Sequence, residues 1–196
     1  VHICEPGERH KESFRSASLA AASGGITSMV TFPNTLPVID NPELLDFFIN
    51  RSKESSKVKI LPTAAITKNC DGKELSELSF LQDRGAVAFT NGLRGIQDSK
   101  ILLRALSYAA SLDVPYIGHC QDYFLSKGSS ATSGPFATRM GLPASAVESE
   151  KICLDRDVAL AKISDVHYHA SQITSAMSLE AIKSHKSKSK NVTAGT

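Results

Sequence analysis

The sequence predicts an α/β fold built on a parallel sheet. Short apolar, β-rich runs alternate along the chain with segments whose apolar residues recur at helical spacing. Strict alternation of this kind places the strands parallel, because each crossover helix returns the chain to the same end of the sheet. The 196 residues are 41% hydrophobic and 21% charged, enough for one sizeable core and too few for two comfortable domains. Residues 1–196 are therefore read as part of a single domain.

The elements follow in order. Val1-His2-Ile3 reads as the end of a strand, closed by a Pro6-Gly7 turn, and Gly24-Gly25 ends the first helix as a C-cap. Ile26–Phe32 is the next β-rich run. Asp40-Asn41-Pro42-Glu43 offers a cap and a first-turn proline, and Leu44, Leu45, Phe48 and Ile49 follow on one helical face. Val58–Pro62 is a strand; Leu75, Leu78 and Leu81 belong to a helix; Gly85–Phe89 is a short buried strand. Ser99 is positioned to cap a helix whose face is Ile101, Leu102, Ala105, Leu106 and Ala109. Val114–Ile117 is a strand, 128–143 an irregular link, and Ala146–Ile163 mostly helix. Val166–Ala170, Ala176–Ser184 and Asn191–Ala194 read as strand, helix and strand. That makes about seven strands. A doubly wound sheet and a β/α barrel both fit the pattern.

Composition excludes several classes. A formal charge of +2 is too small to argue for nucleic acid, and Lys183, Lys186, Lys188 and Lys190 read as a solvated helix end. No apolar stretch is long enough to span a membrane. Cys4, Cys70, Cys120 and Cys153 are far apart and form no C-x-x-C pair, which fits a reducing, cytoplasmic setting without disulfides. No G-x-G-x-x-G, no phosphate-binding G-x-x-x-x-G-K-[ST] and no fixed repeat occurs.

Chemistry in parallel α/β folds sits at the carboxyl ends of the strands. There the chain places His2 and Cys4, then Pro33-Asn34-Thr35, Thr90-Asn91-Gly92, His119-Cys120-Gln121-Asp122, and His169 through Gln172 to Thr174. Imidazoles and amides on one rim suit a divalent-metal site. Taken singly, each residue has a plainer role. A lone histidine at a strand end is usually hydrogen-bonded structure, Asn34 beside Pro33 is a turn residue, and Cys120 is a buried small hydrophobe. His10, His167 and His185 read as surface positions, and at most one of His167 and His169 faces the interior.

Several segments together resemble the dihydroorotase branch of the amidohydrolase superfamily. VHICEPGERHKESF is similar to that family's H-x-H-x-R-E-P-G motif followed by H-K-E, and PNTLPVIDNPE to its P-N-T-x-P-x-x-D segment. LPTAAITKNCDGKELSEL, GAVAFTNGLRGIQDSKILLRAL, GHCQD, TRMGLPASAVE and YHASQITSAMSLEAI have counterparts in the same order. The resemblance implies a (β/α)8 TIM-type barrel, of which this chain would carry roughly strands one to seven as a fragment. It implies interconversion of N-carbamoyl-L-aspartate and dihydroorotate in pyrimidine biosynthesis, with zinc as cofactor and a small-molecule substrate. His2 and His119 fall on metal-binding histidines, and Asn34 on a substrate-holding asparagine.

Three positions depart from the family pattern. Cys4 stands where an arginine grips the substrate carboxylate, Asn91 where an aspartate binds metal, and Gln172 where a histidine does. Neutral amides are poor zinc ligands beside carboxylate and imidazole, and a thiol cannot pair with a carboxylate in bidentate fashion. The expectation is one zinc ion or none rather than two. The catalytic proton shuttle, an aspartate of the eighth strand, is expected outside residues 1–196. A non-catalytic homologue serving as assembly partner of aspartate transcarbamoylase is the alternative, and a homodimer is a further expectation. Allantoinase and dihydropyrimidinase fit less well, because they carry a carboxylated lysine after the fourth strand and no lysine lies between Phe89 and Asp98.

Overall fold

The computed structural model describes residues 1–188 and 191–196. Their strands run β1 (Ser28–Thr31), β2 (Lys59–Pro62), β3 (Ala64–Ala65), β4 (Phe89–Thr90), β5 (Tyr116–His119), β6 (Ala131–Thr132), β7 (Ala144–Ser145), β8 (Tyr168–Ser171) and β9 (Val192–Ala194). The helices are α1 (Phe14–Ser23), α2 (Pro42–Ser55), α3 (Leu78–Asp83), α4 (Ser99–Ser111), α5 (Tyr123–Ser126), α6 (Pro135–Met140), α7 (Glu148–Ser164) and α8 (Ala176–Lys188), with a 3₁₀ turn at Lys68–Cys70.

Every strand pairing is parallel. β1 pairs with β2, and β3, β4, β5, β8 and β9 form one sheet in that order. Thr63 joins the two sheets: its N–H donates to Thr31 O at 3.2 Å while Val87 N donates to Pro62 O at 3.0 Å. On the other edge Val1 holds β1, its amino group donating to Val30 O and its carbonyl accepting from Phe32 N. With β3 continuing β2 through Thr63, and apart from the small β6–β7 pair, each strand therefore lies beside its predecessor in the chain. A doubly wound sheet reverses at a switch point, whereas an unbroken sequential order is the winding of a β/α barrel. This decides the ambiguity left by the sequence.

The core lies between the strands and the helix layer. Phe14 of α1 meets Phe48 of α2 edge-on at 4.7 Å between ring centres, and Leu102, Ala105, Leu106 and Ala109 of α4 are fully buried. Alternation along β8 separates two faces: Tyr168 and Ala170 are buried, while His169 and Ser171 are only half-buried. The same holds for Tyr116 and Gly118 against Ile117 and His119 in β5. Among the described residues no helix is long and apolar enough to cross a membrane.

Several expectations change. α4 is capped by Asp98, whose carboxylate accepts from Lys100 N (2.8 Å) and Ile101 N (3.1 Å), so Ser99 is the first helical residue rather than the cap. A side-chain oxygen accepting the N–H groups of the second and third helical residues is what defines the cap, and Asp98 supplies it. Leu75 is not helical; it bridges Thr67 in antiparallel fashion, and Lys68 N→Glu74 O and Ser76 N→Ile66 O fold this segment back as a loop. The irregular link contains β6 and α6, and β7 follows directly after it. Pro135 in the first turn and Gly141 at a left-handed C-cap (φ 63°) mark α6, a Pro-to-Gly signature legible in the sequence. His185 is half-buried and meets Asp155 at 2.9 Å across the α7–α8 packing, so it is not a simple surface residue. His10 and His167 are exposed as expected, as are Lys183 and Lys186; Lys190 lies outside the described residues.

Candidate active site

The rim residues gather at the carboxyl ends of the strands, and glycines let them approach. After β1, the buried side-chain oxygen of Asn34 accepts no hydrogen bond among the described residues, while its backbone oxygen meets His2 Nε2 at 2.9 Å. The Asn34 amide lies against Gly92, where an added Cβ would sit 1.7 Å from Oδ1 and where φ is +66°. Gly92 thus joins the β1 rim to the β4 rim. Gly92→Ala is expected to lower unfolding free energy by about 1–3 kcal/mol through overpacking and left-handed strain, read as a shift in the urea midpoint.

Asn91 is buried and its side chain is fully engaged. Oδ1 accepts from Thr67 Oγ1 (2.5 Å), and Nδ2 donates to Cys70 O (3.1 Å) and Arg94 O (3.0 Å). The position is a clamp between the loop after β3 and the loop after β4. Arg94 O and Cys70 O both require a donor, which explains why an amide and not a carboxylate stands here.

His119 ends β5 at the meeting of two cavities. One, about 440 Å³, lies toward β8 and includes Gln172, Glu150 and Ser145; the other, about 480 Å³, lies toward β4 and includes Asn91, Arg94 and Gln121. His119 lines both, and its Nδ1 is buried with no hydrogen-bond partner among the described residues. A buried nitrogen left without a partner is costly unless a ligand meets it. Gln172 is exposed, with a left-handed φ of 58°. His2, Cys4 and Asn34 line neither cavity. Cys4 is buried, its carbonyl accepting from Glu8 N.

Charged residues that sequence reasoning passed over hold this rim in place. Glu5, buried, receives Phe14 N at the start of α1 and the guanidinium groups of Arg9 and Arg51. Glu150 accepts from Thr174 N, Thr174 Oγ1 and Ser175 N, fixing the turn after β8. Burial pushes its carboxyl up, but the hydrogen bonds from Ser178, Thr174 and Ser175 outweigh this and hold it below the usual range. Beneath the cavities, Asp157 accepts from Arg156 Nη2 (2.6 Å), Arg156 Nε (2.9 Å) and Tyr168 OH (3.1 Å), and Tyr168 OH meets Cys120 Sγ at 3.2 Å. Arg156 continues to Ile96 O (2.7 Å) and Gln97 O (3.0 Å). Asp157 shares its helical face with Cys153, Leu154, Val158 and Ala161, a charge on an apolar stripe that could have been noticed in the sequence.

Cys70, Cys120 and Cys153 are not reactive groups. Burial pushes the Cys70 and Cys120 thiols up to about 12 and raises Cys153 further, so they stay protonated. His169 is half-buried, its Nδ1 meeting Thr193 Oγ1 at 2.9 Å, and burial lowers its pKa.

Among the described residues alone, the ligand set for a catalytic zinc is incomplete. A catalytic zinc takes three protein ligands, and among the described residues no three His, Cys, Asp or Glu side chains converge. The rim offers the imidazoles of His2 and His119, the committed amide of Asn91 and the exposed amide of Gln172.

Comparison with known proteins gives a consistent result. Residues 1–178 match the family described as Dihydro-orotase-like. The chain is 40% identical over 196 residues to a dihydroorotase of Syntrophus aciditrophicus, covering 100% of this chain and 46% of that protein. It is 41% identical over 182 residues to a dihydroorotase-like protein of Pseudomonas aeruginosa, covering 93% and 43%. The L-hydantoinase (dihydropyrimidinase) of Arthrobacter aurescens superposes with a TM-score of 0.83 at 18% identity, covering 99% of this chain and 45% of that one, which bears on the fold alone. The chain thus spans about half the length of the curated relatives it matches. The sequential parallel winding of part of a β/α barrel, a rim motif in the expected order and identity at this level along the whole chain agree: the chain belongs to the dihydroorotase-like family.

Proposed function

We propose that this chain forms the binding arc of a dihydroorotase-type cyclic amide hydrolase, interconverting N-carbamoyl-L-aspartate and dihydroorotate in pyrimidine biosynthesis with fewer than two zinc ions. The observation that carries the reading is the buried, unpartnered Nδ1 of His119 at the seam of two cavities on the carboxyl-end rim. His119 would meet the ligand or a single metal ion, and Asn34, packed against Gly92 outside both cavities, is the substrate-holding position by family pattern alone. Four buried free cysteines support a cytoplasmic setting.

A second reading, a non-catalytic homologue that assembles with aspartate transcarbamoylase, is favoured by the Asn91 clamp, which withdraws a ligand position from chemistry. One pair of measurements on the full-length protein separates the two. Dihydroorotate ring opening together with fewer than two zinc ions per chain is the expected result. Two tightly bound ions would overturn the reduced site, and absent ring opening in a folded protein would overturn the enzyme in favour of the assembly partner.

A further inference from the structure

The cavity on the β4 side of His119 is lined by two cations and one carboxylate, Asp71. Arg94 and Lys73 both line it, and neither makes an ion pair among the described residues. The single carboxylate in the lining, Asp71, is turned to local work, accepting from Lys73 N at 2.8 Å. Surface cations are common and ordinarily signify nothing, but Arg94 differs in how its backbone is held.

The loop from Gly92 to Gln97 is bolted at both ends. At its start Asn91 Nδ2 donates to Arg94 O. At its end the Arg156 guanidinium donates to Ile96 O and Gln97 O, and Arg156 is in turn fixed by buried Asp157. Gln97 then ties the loop to the next rim segment, its Nε2 donating to Gly95 O (2.9 Å) and its Oε1 accepting from Tyr123 N (3.0 Å). Two buried side chains, Asn91 and Asp157, and two half-buried ones, Arg156 and Gln97, are thus spent on carrying an exposed arginine at a fixed place on the cavity wall. Holding a cation's backbone in this way removes ordering cost from ligand binding.

We propose that Arg94, assisted by Lys73, is a carboxylate-binding residue of the rim, taking a small anionic ligand whose carboxylate meets the guanidinium and whose amide or ureido end reaches His119. The planar guanidinium suits a carboxylate in bidentate geometry, and the cavity of about 480 Å³ admits a molecule of that size. On this view Asn91 is a positioning residue, because it fixes the loop and touches no ligand itself. The inference rests on the hydrolase reading for the identity of the ligand, though not for the existence of the subsite.

Equilibrium binding to the full-length protein tests it, using N-carbamoyl-L-aspartate, dihydroorotate, the neutral analogue dihydrouracil and inorganic phosphate as probes. Arg94→Ala is expected to weaken both carboxylate ligands by about tenfold or more while leaving dihydrouracil within about twofold. Arg94→Lys should recover part of the loss, and Lys73→Ala should show a smaller one. Arg94 touches its surroundings through the backbone, so the variant should keep the wild-type unfolding midpoint. Equal weakening of dihydrouracil, or no change for the carboxylates, would overturn the subsite. Phosphate competing as well as carboxylate would overturn its carboxylate selectivity. Arg94-dependent binding without ring opening would uphold this inference while the hydrolase reading fails, and ring opening indifferent to Arg94 would do the reverse.

Discussion

Asn91→Asp is expected to destabilise the protein by about 2–4 kcal/mol, and to leave its zinc content unchanged. By family pattern the change looks like a repair, since it restores a carboxylate at a ligand position. The structure argues otherwise. The two N–H groups of Nδ2 are donated to Cys70 O and Arg94 O, and a carboxylate has neither. It would set a buried negative charge against two carbonyl oxygens, with only Thr67 Oγ1 left to donate. Thr67 is itself part of the same knot, accepting from Gly72 N at 2.9 Å. The pH dependence follows in sign. Burial among acceptors raises the new carboxyl's pKa in the folded state, so the folded protein binds the proton more tightly than the unfolded chain. The deficit is then greatest at neutral pH and above, and shrinks as the pH falls through the raised value and a protonated oxygen can donate to one carbonyl. Urea unfolding at neutral and mildly acidic pH, with zinc determined on the same preparations, reads both claims. Wild-type stability with an added zinc ion would show that Asn91 is a vacant ligand position and not a clamp.

Asp157→Ala is expected to cost more, about 3–5 kcal/mol, because it removes one partner of a buried ion pair and leaves the other in place. Asp157 is 1% exposed and accepts from two nitrogens of Arg156 and from Tyr168 OH. Without it the guanidinium keeps only its carbonyl contacts and the Tyr168 hydroxyl keeps only a weak thiol partner, Cys120. Tyr168 lies tightly under β5, where a Cβ on Gly118 would come within 2.3 Å of its hydroxyl, so a shift of that ring has little room. Asp157→Asn keeps the size and one acceptor oxygen, and should cost distinctly less. The loop that carries Arg94 hangs from Arg156, so the alanine variant should also weaken carboxylate ligands at protein concentrations where it remains folded. Chemical unfolding of the two variants side by side checks the order, and equal losses would assign the effect to charge alone instead of to the hydrogen bonds.

The alternation of strands and helices, the α2 cap at Asn41 and the apolar stripe of α4 could all be read from residue order, because they depend on neighbours a few positions away. The family resemblance was legible for the same reason: its motifs are contiguous. The choice between a barrel and a doubly wound sheet was not, since it depends on which strand each one pairs with, and those pairings join residues as distant as Thr31 and Thr63 or Tyr116 and His167. At the site, residue type marked His2, Asn34, Asn91, His119 and Gln172, and tertiary structure sorted them. It joined His119 to Gln172 in one cavity and to Asn91 in another, set Asn34 against Gly92, and left Cys4 buried away from both. It also turned Asn91 from a lost ligand into a clamp, and raised Arg94, Arg156 and Asp157 from unremarked charges to a connected support. A side chain's chemistry is carried by its own atoms and can be named from the sequence. What those atoms are free to do depends on which donors and acceptors surround them, and only the folded chain brings these together.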